Sequence, residues 1–416
     1  TYKGGQSMTR FEAAALLNAC LDRVTEVTDE LQRLLNEFKV ELAVLKGRVD
    51  GLEAKVGELE ATQFSTTTKL KGEATFLLGG VPGLETNDGG NVGNTTFNYD
   101  VKLNFDTSFT GKDLLRTRLR SSNFTNTPFN SNSLFQLSAA DSVDQTNSNV
   151  VIDRLYYQFP VSESLTLTAG AIVRNTEMSW VPSVYDSGIL NFFTVAGTPG
   201  VYNQATGAGV GAQYASKNGF VAGLNYVAQN GDDSETGVFD SDGALNFLAQ
   251  VGYRASNWGV GVGYRYGSQG TRPLSYNGLL GASGALLDGQ ESNSVALNAY
   301  WQPIQSGWVP SVSAGYGYNS VNGATGATDA TNSDSWFVGL QWSDVFVAGN
   351  SAGVAVGQAP SAETAGVSDA TMIEIFYKYQ ITDNISITPA LFYVDNNQRY
   401  QNSSKWGGVI QTKFTF

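Results

Sequence analysis

Arg116, Arg118 and Arg120 recur at every second position, with Leu115, Thr117 and Leu119 alternating with them. On a β-strand that spacing puts three guanidinium groups on one face and three less polar side chains on the other. Arg154, Arg174, Arg254 and Arg265 also fall opposite the apolar positions of their own segments. The acids are placed differently. Asp141, Asp144, Glu177, Asp186, Asp232, Asp233, Glu235, Asp240, Asp242, Asp288 and Asp329 lie mostly between the alternating segments. A wall of fixed cations facing acidic loops would order water and orient ions by a transverse field. The alternative is that the arginines are solvated or paired with wall carboxylates such as Asp100 and Asp106.

Bond-making chemistry finds little support. The chain has 416 residues, no histidine and one cysteine, Cys20, which excludes Ser-His-Asp, Cys-His and His/Cys zinc sites. Nothing places two carboxylates in one apolar cleft, so an enzyme is not expected. Gly259-Val260-Gly261-Val262-Gly263 and Gly207-Ala208-Gly209 look like pieces of a dinucleotide fingerprint, but no helix pattern follows either. Asp232-Asp233-Ser234-Glu235 and Asp240-Ser241-Asp242-Gly243 lack the spacing of a calcium loop and read as solvated acidic loops. No cofactor and no metal site are expected. With 25 basic against 38 acidic residues the net charge is −13, which argues against nucleic acid as partner.

The elements that carry these residues divide near position 63. From Leu21 to Leu59, twelve positions recur in unbroken steps of three and four, and all but Thr28 are apolar, Leu31, Leu35, Phe38, Leu42, Leu45, Val49 and Leu52 among them. This is the heptad repeat of a coiled coil. With Leu21 at a, the g residues Glu41, Arg48 and Lys55 face opposite charges at the e residues Lys46, Glu53 and Glu60 in a parallel, in-register assembly. Thirty-nine residues, 21 to 59, make a rod on the order of 60 Å long. Heptad composition leaves the number of helices open, with a lean toward two from Val49, Leu52, Val56 and Leu59.

Beyond residue 63 the period becomes 2. Phe97 to Asp106 alternates apolar and polar without a fault, and so does Trp258 to Tyr266. Sixteen such segments, from about 66–79 to about 405–416, are joined alternately by short turns and long loops. That is the layout of an outer-membrane barrel, whose strands carry one lipid face and one wet face. The exception is 344–349, longer and more apolar than a turn, where the strand break near 344–358 is open. No run of about 18 apolar residues offers a transmembrane helix. The chain starts at Thr1 without a secretory signal, which suggests a processed or truncated product. It stops on Phe416, with Ile410, Thr412 and Phe414 on the same face.

Two stretches carry a family resemblance. Tyr2-Lys3-Gly4-Gly5 followed by Met8-Thr9-Arg10-Phe11-Glu12-Ala13-Ala14 resembles the C-terminal part of an S-layer homology (SLH) domain with its Thr-Arg-x-Glu element. Leu17 to Arg23 and the barrel entry Phe64-Ser65-Thr66-Thr67-Thr68-Lys69-Leu70 resemble cyanobacterial outer-membrane porins. Those proteins join an SLH domain, a coiled coil and a β-barrel; they are known as iron-uptake porins and are related to the carbohydrate-selective OprB-type group. The resemblance implies an SLH remnant over 1–20, a parallel periplasmic coiled-coil stalk over 21–63 and an outer-membrane barrel over 64–416. It implies a homotrimer in the outer membrane, in contact with lipid and lipopolysaccharide, with its N-terminal segment in the periplasm. It also implies Arg10 and Glu12 as peptidoglycan-binding residues. The aromatic-rich connection Asn175–Ala205 follows the fifth strand, and in trimeric general porins that connection forms the constriction. By this resemblance Glu177 and Asp186 are the acids facing the arginines. The expected function is passive diffusion of small hydrophilic solutes, foremost inorganic ions and, by resemblance, iron. The alternatives are a structural tether to peptidoglycan and a sugar-selective channel.

Overall fold

The computed structural model describes residues 12, 13, 15, 16, 29–62, 67–130, 133–140, 147–240, 242–272, 285–323, 332–362, 369–397 and 403–416. The chain divides into two compact units, Thr1–Thr66 and Thr67–Phe416.

The described part of the first unit is mainly one α-helix, Asp29–Thr62. Leu, Glu, Lys and Arg dominate it, residues that lose little rotamer freedom in a helix. Phe38 and Leu45 are half-exposed, while Val49 and Leu52 are 45% and 61% exposed. The side chains of Leu31, Leu35 and Leu42, and Arg10, Cys20 and Leu21 altogether, lie outside the described residues. Glu12 is helical and exposed. One chain's helix does not show the expected coiled coil.

The second unit is sixteen strands. The first five are β1 (Thr68–Gly80), β2 (Thr96–Thr107), β3 (Leu114–Ser122), β4 (Val151–Pro160) and β5 (Leu165–Arg174). Next come β6 (Thr206–Ala215), β7 (Phe220–Ala228), β8 (Leu245–Arg254), β9 (Trp258–Gly267) and β10 (Glu291–Trp301). The last six are β11 (Ser311–Asn322), β12 (Asn332–Ser343), β13 (Ser351–Ala362), β14 (Ala370–Thr382), β15 (Ile385–Asn397) and β16 (Ser403–Thr415). Each strand pairs antiparallel with its sequence neighbours and β1 pairs with β16, so the sheet closes without an edge. The strand break left open near 344–358 falls at 344–350, a connection between β12 and β13. Asp344 and Phe346 take left-handed φ angles of 57° and 62°, and the Asp344 carboxylate accepts the Gly349 N–H at 2.8 Å.

Alternation explains the wall. In β9, Trp258, Val262 and Tyr264 are exposed on the outer face, while Gly259, Gly261, Gly263 and Arg265 are buried inside. The outer face repeats this apolar pattern around the barrel, with Leu297 and Leu391 51% and 58% exposed. A continuous apolar band is untenable in water and is what a bilayer requires. Near the short turns, Tyr157 stacks on Phe159 and Tyr253 on Trp258, with ring centroids 5.5 and 5.4 Å apart. Such aromatics belong at a membrane interface. At the closure, Phe416 exchanges backbone hydrogen bonds with Gly72, and its ring fills the space a Cβ on Gly72 would need.

The interior is not empty. Phe124, Phe129, Phe135 and Leu137 from the 123–150 loop pack on Phe392 and Val394 of β15 and Leu77 of β1. Phe192, Phe193 and Leu190 from the 175–205 loop join the same cluster, and Leu137 bridges to Leu190. Two loops therefore fold into the barrel and meet there.

Candidate functional site: the barrel lumen

The 175–205 loop crosses the lumen along the inner wall of β7 to β14. It leaves β5 in a 3₁₀ turn, Asn175–Met178, where Asn225 of β7 donates to the Ser179 hydroxyl at 2.9 Å. Trp180 N–H donates to Gln250 of β8 at 3.0 Å. Val184 and Tyr185 N–H groups donate to the Ser313 hydroxyl of β11 at 2.9 and 3.1 Å, and Asp186 N–H donates to Gln341 of β12 at 2.8 Å. The far point is Glu374 of β14. This fully buried carboxylate accepts the Tyr185 hydroxyl at 2.9 Å and the Leu190 N–H at 2.7 Å. Burial and the neighbouring Glu374 hold the Tyr185 phenol well above its ordinary pKa, so it stays a donor. On the return, Asn298 of β10 donates to Ala196 O at 3.0 Å and the Arg265 guanidinium donates to Gly200 O.

Inward glycines make the seat for this loop. A Cβ on Gly252 or Gly259 would press on the Trp180 ring, one on Gly261 on Pro182, and one on Gly263 on Val201. Further round, Gly339 lies under Tyr185 and Gly357 under Phe192. The Gly259–Gly263 run thus has a physical role. It clears one half of the wall of side chains so that a loop can lie against it.

The other half of the wall is charged. Across β2 and β3, Arg116 holds Asp106 with two hydrogen bonds of 2.8 and 3.0 Å, and Arg120 holds Asp100 at 2.6 and 3.2 Å. Arg118 grips Asp153 of β4 through two 2.6 Å hydrogen bonds. Arg154 donates to Glu177 of the loop at 2.8 Å, and Glu177 also accepts the Arg174 N–H at 3.2 Å. Lys102 bridges Glu73 and Asp100 at 3.2 and 3.0 Å. Lys71 lies 3.1 Å from Asp106 and Lys413 lies 3.3 Å from Glu73.

Arg116, Arg118, Arg120 and Arg154 therefore share one inner wall, and Glu177 touches that wall directly. Arg174 is buried beside it, donating to the Thr206 hydroxyl at 3.1 Å. Arg254 and Arg265 sit on β8 and β9, apart from this cluster. Arg254 is exposed, whereas Arg265 is fully buried among the neutral acceptors Gly200 O, Asn246, Ser292 and Ser294. Asp186 is solvent-exposed and has no ion pair among the described residues. The picture of a bare cationic wall facing acidic loops gives way to a wall in which strand acids meet most of the charge. The sequence reading missed Asp153, because strict alternation puts it opposite Arg154. Arg118 pairs with Arg154 and Leu119 with Ile152, so Asp153 is the extra residue of a β-bulge that brings both charges inside. Glu374, Lys71 and Lys413 were missed too.

Among the described residues, no three Asp, Glu, Cys or His side chains are grouped to hold a metal ion. In the acidic 229–244 loop, Asp233 and Asp240 instead accept the N–H groups of Glu235 and Asp242 at 2.9 and 3.1 Å.

The family described as carbohydrate-selective porin, OprB family, matches residues 26–416. An uncharacterised protein of Nostoc sp. is 36% identical across the whole chain, which covers 79% of that protein. An uncharacterised protein of Synechocystis sp. is 30% identical, with 84% of its length covered. Among solved structures, Pseudomonas putida OprB superposes with a TM-score of 0.58 at 10% identity, over 84% of this chain and 94% of that one. An anion-selective porin from Comamonas acidovorans gives 0.55 at 14% identity, over 84% and 99%. At such identities the shared feature is the fold.

Proposed function

The chain belongs to the OprB family of carbohydrate-selective outer-membrane porins, and on that premise we propose passive diffusion of small hydrophilic solutes, sugars foremost, past the 175–205 loop. The observation that carries this reading is the loop's path. It is bonded to β7, β8, β10, β11, β12 and β14, which leaves the charged β1–β4 wall as the polar side of the passage. Sugars suit a lumen of hydroxyls, amides and paired charges, and Trp180 meets Tyr300 edge to face at 6.3 Å as an aromatic surface for a sugar ring. Bare iron cations suit it less, because the wall carboxylates are already occupied by guanidinium and ammonium groups. Purified protein in planar bilayers should give stepwise currents that sugars reduce. Currents insensitive to sugars at high concentration would leave an ion channel, and no currents would remove the channel reading.

A second reading concerns the first unit. The exposed Val49 and Leu52 and the matched g–e charges support a stalk of parallel helices, three if the barrel assembles as the trimer form solved for Vibrio cholerae OmpT does. Glu12 and Arg10 would then sit at the peptidoglycan end of a tether. Cosedimentation of the purified protein with peptidoglycan tests this; loss of binding in the Arg10→Ala, Glu12→Ala variant is expected.

A further inference from the structure

We propose that the ion preference of this pore is set by two lysines, Lys71 and Lys413, and that it favours anions. The inference rests on the channel reading above. The wall's charges match one to one until these two are reached. Arg116 is neutralised by Asp106, Arg118 by Asp153, Arg120 by Asp100, Arg154 by Glu177 and Lys102 by Glu73. Each pair is a short dipole whose field falls off steeply. Lys71 is a second cation on Asp106, and Lys413 a second cation on Glu73. Neither has a carboxylate of its own. They are also the most solvent-accessible cations of the network, with side chains 63% and 34% exposed against 26% or less for the others.

Register places the two on either side of Glu73. Glu73 faces Lys102 on one side and Thr415 on the other, Lys71 faces Asn104, and Lys413 faces Thr75. The two ammonium groups thus flank Glu73 on the short-turn half of the barrel. Lys69, two residues nearer the end of β1, has no ion pair among the described residues and acts in the same sense. Elsewhere on the inner face, Arg254 of β8, Lys378 of β14 and Lys405 of β16 carry further positive charge against the exposed Asp186 of the loop. On the β1–β4 wall and the neighbouring β16, the exposed excess that permeating ions meet is that of Lys71 and Lys413. A unit charge within several ångströms of a watery path changes local ion occupancy by about twofold.

The arrangement also separates charge from fold. Removing a wall arginine orphans a buried carboxylate, whereas removing Lys71 or Lys413 leaves every carboxylate paired. The test is the reversal potential across a potassium chloride gradient, measured on full-length protein in planar bilayers. The wild type should prefer chloride. Lys71→Gln with Lys413→Gln should lower the chloride-to-potassium permeability ratio by about threefold or more, at unchanged thermal unfolding and heat-shifted gel mobility. Lys71→Arg with Lys413→Arg should keep the wild-type ratio. A conducting double glutamine variant with the wild-type ratio would overturn the inference and spare the channel reading, and so would a cation-preferring wild type. Absence of stepwise current from the wild type would overturn both.

Discussion

Glu374 is the test of whether the loop or the strand wall defines the aperture. Its carboxylate is fully buried and holds the loop at its far point through Tyr185 and Leu190. Hydrogen bonds to a charged group contribute about 1.5–3 kcal/mol each, and neutral ones about 0.5–1.5. Glu374→Gln keeps the shape and one acceptor oxygen, so local docking should weaken by about 2 kcal/mol. That raises the detached fraction of this stretch about thirtyfold. Glu374→Ala strands both donors and should weaken it by about 3–5 kcal/mol. Gln250, Ser313 and Asn298 still tether the loop on either side, so it should flicker and not leave. In planar bilayers, open-channel noise should rise from wild type to Gln to Ala, with more frequent high-conductance excursions. Tyr185→Phe combined with Glu374→Gln should be less than additive, with a coupling of about 1 kcal/mol. Wild-type noise in Glu374→Ala would refute the reasoning, since the loop would then be held by something other than this anchor.

Three further outcomes follow from the same contacts. Gly339→Val would push a side chain into the Tyr185 ring, whose Cγ would lie 2.7 Å from its Cβ, and should lower thermal stability by about 1–3 kcal/mol while reproducing the noise of the Glu374 variants. At the closure, Gly79→Ala should impair refolding into detergent, because its Cβ overlaps the Gly408 carbonyl oxygen; Gly72→Ala should be milder, since the exposed Phe416 ring can swing away, and equal refolding yields would contradict this. In the β2–β3 turn, hydrogen bonds from Thr110 first, and also from Tyr157 and Ser108, hold the Asp113 carboxyl far below the usual carboxylate range. A depressed folded-state pKa stabilises the turn above the unfolded Asp value of about 3.9 and is lost only as pH falls below it. Turn amides should therefore stay protected from exchange at pH 5 and lose protection toward pH 2, and Asp113→Asn should remove that pH dependence.

The strands were legible because lipid demands a strict apolar face, and Trp258 to Tyr266 shows it without a single exception. The inward side of Arg116, Arg118 and Arg120 followed from the same rule. Two of their partners, Asp100 and Asp106, were already candidates as wall carboxylates. Folding the chain about the short 108–113 turn brings Asp106 opposite Arg116, whereas Arg120 lies opposite Lys102 and reaches Asp100 two residues along β2. Asp153 was not legible, because a bulge resets the alternation at one residue. The proposed stalk is a different case: its heptad pattern is plain in the sequence, but one helix with Val49 and Leu52 exposed does not test it. The loop's route could not be read either. Its aromatics signalled order, yet where Trp180, Tyr185 and Phe192 come to rest depends on glycines from four other strands.

Those glycines explain why the charges sit where they do. A 31-residue loop laid across a lumen must satisfy its own peptide groups away from bulk water. On the glycine side it does so with neutral groups, Gln250, Ser313, Gln341 and Asn298, plus one anion and one cation. Glu374 takes an N–H and a hydroxyl, and Arg265 gives to a carbonyl. Burying either charge without an ionic partner is costly, and a neutral side chain would dock the loop less firmly. Each is therefore best placed where the loop turns or returns and position matters most. Lys71 and Lys413 stand clear of the glycine seat, on β1 and β16. If the two lysines set the ion preference, anchoring and selectivity fall on different strands. A variant that fills the glycine seat should disturb the aperture before it alters ion preference, and one that removes Lys71 and Lys413 should do the reverse.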